Sequence, residues 1–175
     1  MAQSTGNNLI PVEHKTKEEE MITITDMTLA HLDAVYGIET RSFPIPWSKN
    51  ELRKEITENK HAIYKIALMP TGEIAGYAGL WHVVNEGHIN NIAVEENYRR
   101  MGVASKLLES FIEAAKEREM IGLTLEVRIS NNAAFQLYRK YGFKPEGIRK
   151  NYYADTGEDA IIMWKYFDEV NIDGA

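Results

Sequence analysis

Between "HINNIAV" (88–94) and "GLTLEVRI" (122–129) the spacing of apolar residues switches from the two-residue period of a strand to a helical period, and then back. Val103, Leu107, Leu108, Phe111, Ile112 and Ala115 fall on one stripe of a helix of about four turns. A long one-sided helix between two strands must lie on a face of the sheet those strands join, which limits the chain to layered α/β architectures. Upstream, "HAIYKIAL" and "EIAGYAGLWHVV" are strands around the turn "PTGE", and with "HINNIAV" after "NEG" they make an antiparallel meander. "MITIT" is a β-branched first strand, followed by a helix with Leu29, Leu32, Val35 and Ile38 on one face. The next helix has a detailed start: Ser48 as N-cap and Glu51 form a capping box, with Trp47 and Leu52 placed as a hydrophobic staple. "NNAAFQLYRKYG" is a short helix closed by Gly142 at C′, and "AIIMWKYF" after "DTGED" is a last strand. Strands first, then β-α-β-α-β, predicts a mixed sheet with helices on its faces.

Composition sets the size of that fold. With 175 residues and 44% hydrophobic content, one domain with a real core is expected, over residues 21–167. Residues 1–20 are polar and without period, the pattern of a disordered N-terminal arm, and 168–175 form an acidic C-terminal tail. Of the net charge of −6, the arm carries −2 and the tail −3, leaving a body near neutrality that argues against nucleic acid as a partner. No stretch approaches the ~20 apolar residues of a membrane span, and the first residues lack a signal-peptide core, so a cytoplasmic protein is expected. The absence of cysteine excludes a cysteine nucleophile, a thiolate metal site and a disulfide. His14, His31, His61, His82 and His88 are scattered without an H-x-x-x-H pair, and no metal site is expected.

The approach to the long helix, "NYRRMGVASKLL" (97–108), is where chemistry first shows. A helix start exposes unpaired N–H groups and the positive end of the dipole. Gly102 permits close backbone approach, Ala104 keeps the surface low, and Arg99, Arg100 and Lys106 add charge, which together suit a phosphate. A basic residue or Gln, two free positions, Gly, one free position and Gly or Ala arises by chance in roughly one chain in five of this length. Alone it is equally an ordinary surface loop. Neither G-x-x-x-x-G-K-[ST] nor G-x-G-x-x-G occurs, so nucleotide-triphosphate and dinucleotide motifs are not indicated.

In the ordered company of "NIAV" before it and "LEVR" and "SNNAAFQLYRKYGF" after it, the segment Arg99 to Ala104 resembles the [QR]-x-x-G-x-[GA] loop of the GNAT family of acetyl-CoA-dependent N-acetyltransferases, over about residues 22–167. "FPIPWS", "LEVRISN", "LYRKYGF" and "IRKNYYADTGEDAIIMW" are similar to its RimI branch, the bacterial ribosomal-protein-alanine N-acetyltransferases. The resemblance implies a central mixed, mostly antiparallel sheet of about seven strands with helices on both faces, and acetyl-CoA as co-substrate without a metal. It implies that backbone amides of Arg100, Met101, Gly102, Val103, Ala104 and Ser105 hold the coenzyme pyrophosphate. It implies that Ile92, Ala93 and Val94 pair their strand edge with the pantetheine, and that Asn131 contacts the coenzyme arm. The acceptor would be a protein N-terminus, that of a small-subunit ribosomal protein. Phe43 and Pro44, with Tyr152 and Tyr153 in the loop joining the last two strands, would wall its slot.

Residue patterns and resemblance meet at two side chains. Alternation in "LTLEVR" sets Leu123, Leu125 and Val127 on one face and Thr124, Glu126 and Arg128 on the other. Glu126 is then either a solvated strand glutamate paired with Arg128 or, as the resemblance implies, the general base. Tyr138 shares a helical stripe with Ala134, Leu137 and Tyr141 and could simply pack; the resemblance implies that its hydroxyl protonates the departing sulfur. Phe43 and Trp47 likewise serve either as anchors of the helix start or as slot walls. Lysine side chains, other protein N-termini and small amines remain alternative acceptors, and a non-catalytic acyl-CoA-binding module is the alternative from another class. The residues leave oligomeric state open.

Overall fold

The computed structural model describes residues 21–167; the expected arm and acidic tail lie outside the described residues. Seven strands form one sheet in the order β1-β2-β3-β4-β5-β7-β6. β1 (Thr23–Asp26) pairs antiparallel with β2 (Ala62–Leu68), and β2, β3 (Ile74–Val83) and β4 (Glu86–Val94) are the expected antiparallel meander. β5 (Gly122–Arg128) joins β4 in parallel after the crossover helix α3 (Val103–Glu117), and β7 (Glu158–Tyr166) pairs antiparallel with both β5 and β6 (Lys144–Tyr153).

Strand alternation divides the core. In β2, Ile63 and Ala67 face the cluster built on α3, while Tyr64 and Ile66 face the cluster built on α1 (Leu32–Ser42) and α2 (Lys49–Thr57). Val103, Leu107, Leu108, Phe111 and Ala115 are buried on α3, with Ile112 at the edge of the same cluster. α4 (Asn132–Lys140) adds Leu137 and Tyr138 to that face. The capping box of α2 forms as read: Ser48 N–H donates to Glu51 Oε2 at 2.7 Å and Glu51 N–H to Ser48 Oγ at 3.2 Å. Trp47 and Leu52 meet in one cluster, and Gly142 closes α4 with φ +86°.

Two local readings are corrected. Leu29 is not on the buried face of α1: it lies in a 3₁₀ turn (Leu29–His31), whose three-residue period rotates it outward, and Met27 is buried instead. β6 escapes the pattern reading because it borders the sheet and is solvated along nearly its whole length, so no period-2 signal exists. "NYY" (151–153) consequently belongs to β6 rather than to a loop, with Asn151 bulged at φ +51°. Among the described residues, no helix is long and apolar enough to cross a membrane.

Candidate functional site

β4 and β5 pair only from Glu86–Ile89 against Gly122–Leu125 and then part. Past that point β4 keeps β3 and β5 keeps β7, which leaves the facing edges of Ile92–Val94 and Glu126–Arg128 without a shared ladder. The parting coincides with a β-bulge. Gly79 opposes Asn91 and Leu80 opposes Ile89, so Asn90 is the extra residue that bends β4 away. Glycine is needed at 79, where a Cβ would sit 2.7 Å from the Tyr64 ring and 2.8 Å from Asn91 Oδ1.

A cavity of about 380 Å³ fills the fork. The tertiary structure gathers at it, from five separate segments, the expected Phe43 and Pro44, Ile92, Glu126, Asn131, Tyr138, Tyr152 and Tyr153. Ala93, Val94 and Arg100–Ser105 are not among its lining residues; they continue away from it along β4 and into the turn before α3. There Arg100 (φ +63°) and Gly102 (φ +81°) both adopt the left-handed conformation, costly for arginine and free for glycine. The first helical bond runs from Lys106 N–H to Gly102 O at 3.0 Å, and no side chain caps this turn among the described residues. The first-turn amides of α3 thus have no side-chain acceptor among the described residues, and a helix start of this kind favours negative charge. Val103, the first residue of α3, is buried.

The electrostatics at the inner end differ from the sequence reading. Glu126 does not pair with Arg128; its Oε1 meets Arg149 Nε at 3.0 Å, from β6. Arg128 instead grips the β6–β7 turn, donating to both oxygens of Asp155 at 2.8 and 2.9 Å and to Thr156 Oγ1 at 3.1 Å. Its guanidinium lies 3.9 Å over the Tyr153 ring. That hydrogen bond holds the Asp155 carboxyl below its ordinary range. Burial, with a smaller contribution from Tyr153, pushes the Tyr138 hydroxyl up to about 12. Burial also raises Tyr153 to about 12 against the opposing effect of Arg128. The Asn131 side chain accepts from Ala134 N–H at 3.2 Å as the cap of α4, which leaves its amide NH₂ for other partners.

Sequence reasoning missed Arg149, Asp155 and the buried Glu39, all at or beside the fork. Arg149 and Asp155 sit in segments without a period. Glu39 had a legible signal, a carboxylate four residues after Val35 on the face that α1 buries. Among the described residues no three His, Cys, Asp or Glu side chains are placed to hold a metal.

Residues 32–143 match the model of the Acetyltransferase (GNAT) family. A Bacillus subtilis (strain 168) protein provisionally named a ribosomal protein bS18-alanine N-acetyltransferase is 44% identical over 146 residues, 83% of this chain and 96% of that protein. The crystal structure of the ribosomal-protein-S18-alanine N-acetyltransferase from Escherichia coli superposes with TM-score 0.80 at 34% identity, covering 89% of this chain and 99% of that one. A GNAT acetyltransferase from Elizabethkingia anophelis, solved with acetyl-CoA bound, superposes with TM-score 0.71 at 26% identity over 85% of this chain and 99% of that one.

Proposed function

Because the chain belongs to the GNAT acetyltransferase family, we propose that it moves the acetyl group of acetyl-CoA to the α-amine of a protein N-terminus, the N-terminal alanine of ribosomal protein bS18. The observation that carries this reading is the fork itself: a carboxylate, a partly buried phenol and an open strand edge converge where β4 leaves β5. The names of the relatives at 44% and 34% identity support the acceptor.

Acetyl-CoA enters from the α3 side. Amides of Arg100–Ser105 hold its pyrophosphate at the uncapped helix start, with Gly102 and Arg100 already in the required backbone conformation. The free edge of Ile92, Ala93 and Val94 pairs with the pantetheine arm as a further strand would, and Asn131 offers its amide NH₂ from the opposite bank. The amine enters between Phe43 and Pro44 on one side and Tyr152 and Tyr153 on the other.

An α-amine with pKa about 8 is roughly one-tenth neutral at pH 7, whereas a lysine near 10.4 is neutral in only about one molecule in 2,500. Glu126 takes the proton the amine must lose, directly or through one water, as its nitrogen attacks the thioester carbonyl. The C–N bond forms, the C–S bond breaks, and the thiolate leaves against the Tyr138 hydroxyl. With no cysteine in the chain there is no cysteine acyl-enzyme, and the amine attacks directly in a ternary complex in which co-binding supplies the proximity.

The test offers acetyl-CoA with two peptides to the full-length protein and reads the products by mass spectrometry. One peptide has a free N-terminal alanine and no lysine; the other has a blocked N-terminus and an internal lysine. Acetylation of the first alone is expected. Acetylation of the second alone moves the acceptor to lysine, and modification of neither removes the protein-acceptor reading.

A further inference from the structure

Among the described residues Glu39 is the one charged side chain that is buried, at 1% exposure, and it reaches the cavity wall from α1. Such a carboxylate is costly unless every lone pair finds a donor. Its donors come from two functional segments. Oε1 accepts the Trp47 N–H at 2.8 Å. Oε2 accepts the hydroxyl of Tyr77, which in turn accepts from Asn91 Nδ2 at 2.8 Å. Burial, then the Glu39 charge, raises the Tyr77 hydroxyl far above the phenol range, so it remains a donor.

The loop Phe43–Trp47 has unusually few ways to hold its shape. Pro44 and Pro46 carry no N–H, which leaves Phe43, Ile45 and Trp47 as donors. Phe43 N–H goes to the Glu39 carbonyl at 3.1 Å and Trp47 N–H to its carboxylate. One residue thus pins both ends of the loop whose Phe43, Pro44 and Ile45 line the cavity. Through Tyr77 it also ties that loop to Asn91, the neighbour of the bulged Asn90 that opens the fork. From this we infer that Glu39 is a positioning residue for acceptor selectivity: it fixes the distance between the Phe43–Ile45 wall and the β4 bulge, and so the width available to the first side chain of the acceptor. The inference rests on the proposed α-amine acceptor.

The chain of donors also says which substitutions matter. Asn91 Oδ1 is buried without a partner. A Gln at 39 can accept from Trp47 N–H and donate to Tyr77, whose hydroxyl then turns to Asn91 after its amide flips. A Leu at 39 fills similar space and accepts nothing. The experiment compares wild type, Glu39→Leu, Glu39→Gln and Tyr77→Phe in the full chain, measuring kcat and KM for peptides beginning with Ala or Leu and for acetyl-CoA.

Glu39→Leu is expected to raise the KM for the Ala peptide roughly tenfold and to lower the Ala-over-Leu ratio of kcat/KM by a similar factor, the size of losing one charge-assisted hydrogen bond at the loop. The acetyl-CoA KM should stay within about twofold, since the α3 start that holds the pyrophosphate touches none of these groups. Glu39→Gln should restore selectivity, and Tyr77→Phe, which keeps the Trp47 bond, should lower it less. If Glu39→Leu does not fold, Tyr77→Phe alone decides. A folded Glu39→Leu or Tyr77→Phe with wild-type selectivity overturns the inference and leaves the proposed function standing. KM values rising together for peptide and acetyl-CoA overturn it in favour of a general scaffold role. Wild type inactive on every N-terminus overturns the reading on which it rests.

Discussion

Replacing Tyr138 by Phe removes one oxygen from the inner end of the fork and tests how the leaving sulfur is handled. A coenzyme thiol near the cysteine value of about 8.5 would have to take a proton from a phenol that burial has pushed up to about 12. That transfer is uphill by about three and a half pKa units, or ~5 kcal/mol, so full protonation cannot precede C–S cleavage. What the hydroxyl supplies is a hydrogen bond that strengthens as charge develops on sulfur, worth roughly 1.5–3 kcal/mol. Tyr138→Phe should therefore lower kcat by about 10- to 150-fold, while the KM for acetyl-CoA stays within about threefold. Initial rates of thiol release at saturating alanine peptide measure this, followed from pH 6 to pH 10. Wild type should show no falling limb from this phenol near pH 10, because the hydroxyl keeps its proton until about 12. An unchanged kcat under conditions where chemistry limits turnover refutes the role. A limb near pH 10 that disappears in the variant refutes the raised hydroxyl, and a loss beyond about 10⁴ would make it an obligatory acid.

Glu126→Gln should bind acetyl-CoA normally in calorimetry and lose roughly 10²- to 10⁴-fold in kcat, the scale of a general base; full activity on every tested amine would remove Glu126 from the reaction. Gly102→Ala places a Cβ at φ +81°, at a cost of about 1–2 kcal/mol. It should raise the acetyl-CoA KM several-fold more than the peptide KM, and equal changes in the two would contradict pyrophosphate binding at the α3 start. Tyr64, Tyr77, Tyr138 and Tyr153 all have hydroxyls raised first of all by burial. The folded state holds those protons above pH 10 while the unfolded state releases them, so stability is complete below about 10 and falls as pH rises. Tyr138 alone should remove roughly 2–3 kcal/mol between pH 10 and 12. Urea midpoints measured across that range check this, and a flat profile would contradict it.

Local chemistry was legible in the residues wherever neighbours in sequence decide the outcome. The capping box at Ser48, the αL glycines at 102 and 142, the α3 stripe and the meander all rest on contacts within a few positions or on a single period. The alternation that sets Glu126 apart from Leu125 and Val127 is of the same kind. What failed at this level failed for a local reason too: Leu29 was one 3₁₀ turn out, and β6 has no buried face to write a period. The fork belongs to the tertiary structure. A bulge at Asn90 exists only as a mismatch of register between β3 and β4, and the parting of β4 from β5 only as the end of a ladder between strands joined through a fifteen-residue helix. Which partner each charge takes was likewise decided in three dimensions. Arg128 met two acids from the β6–β7 turn and the start of β7, Asp155 and Glu158, and Glu126 was left to an arginine from β6, because side chains pair by position across strands and not by distance along the chain.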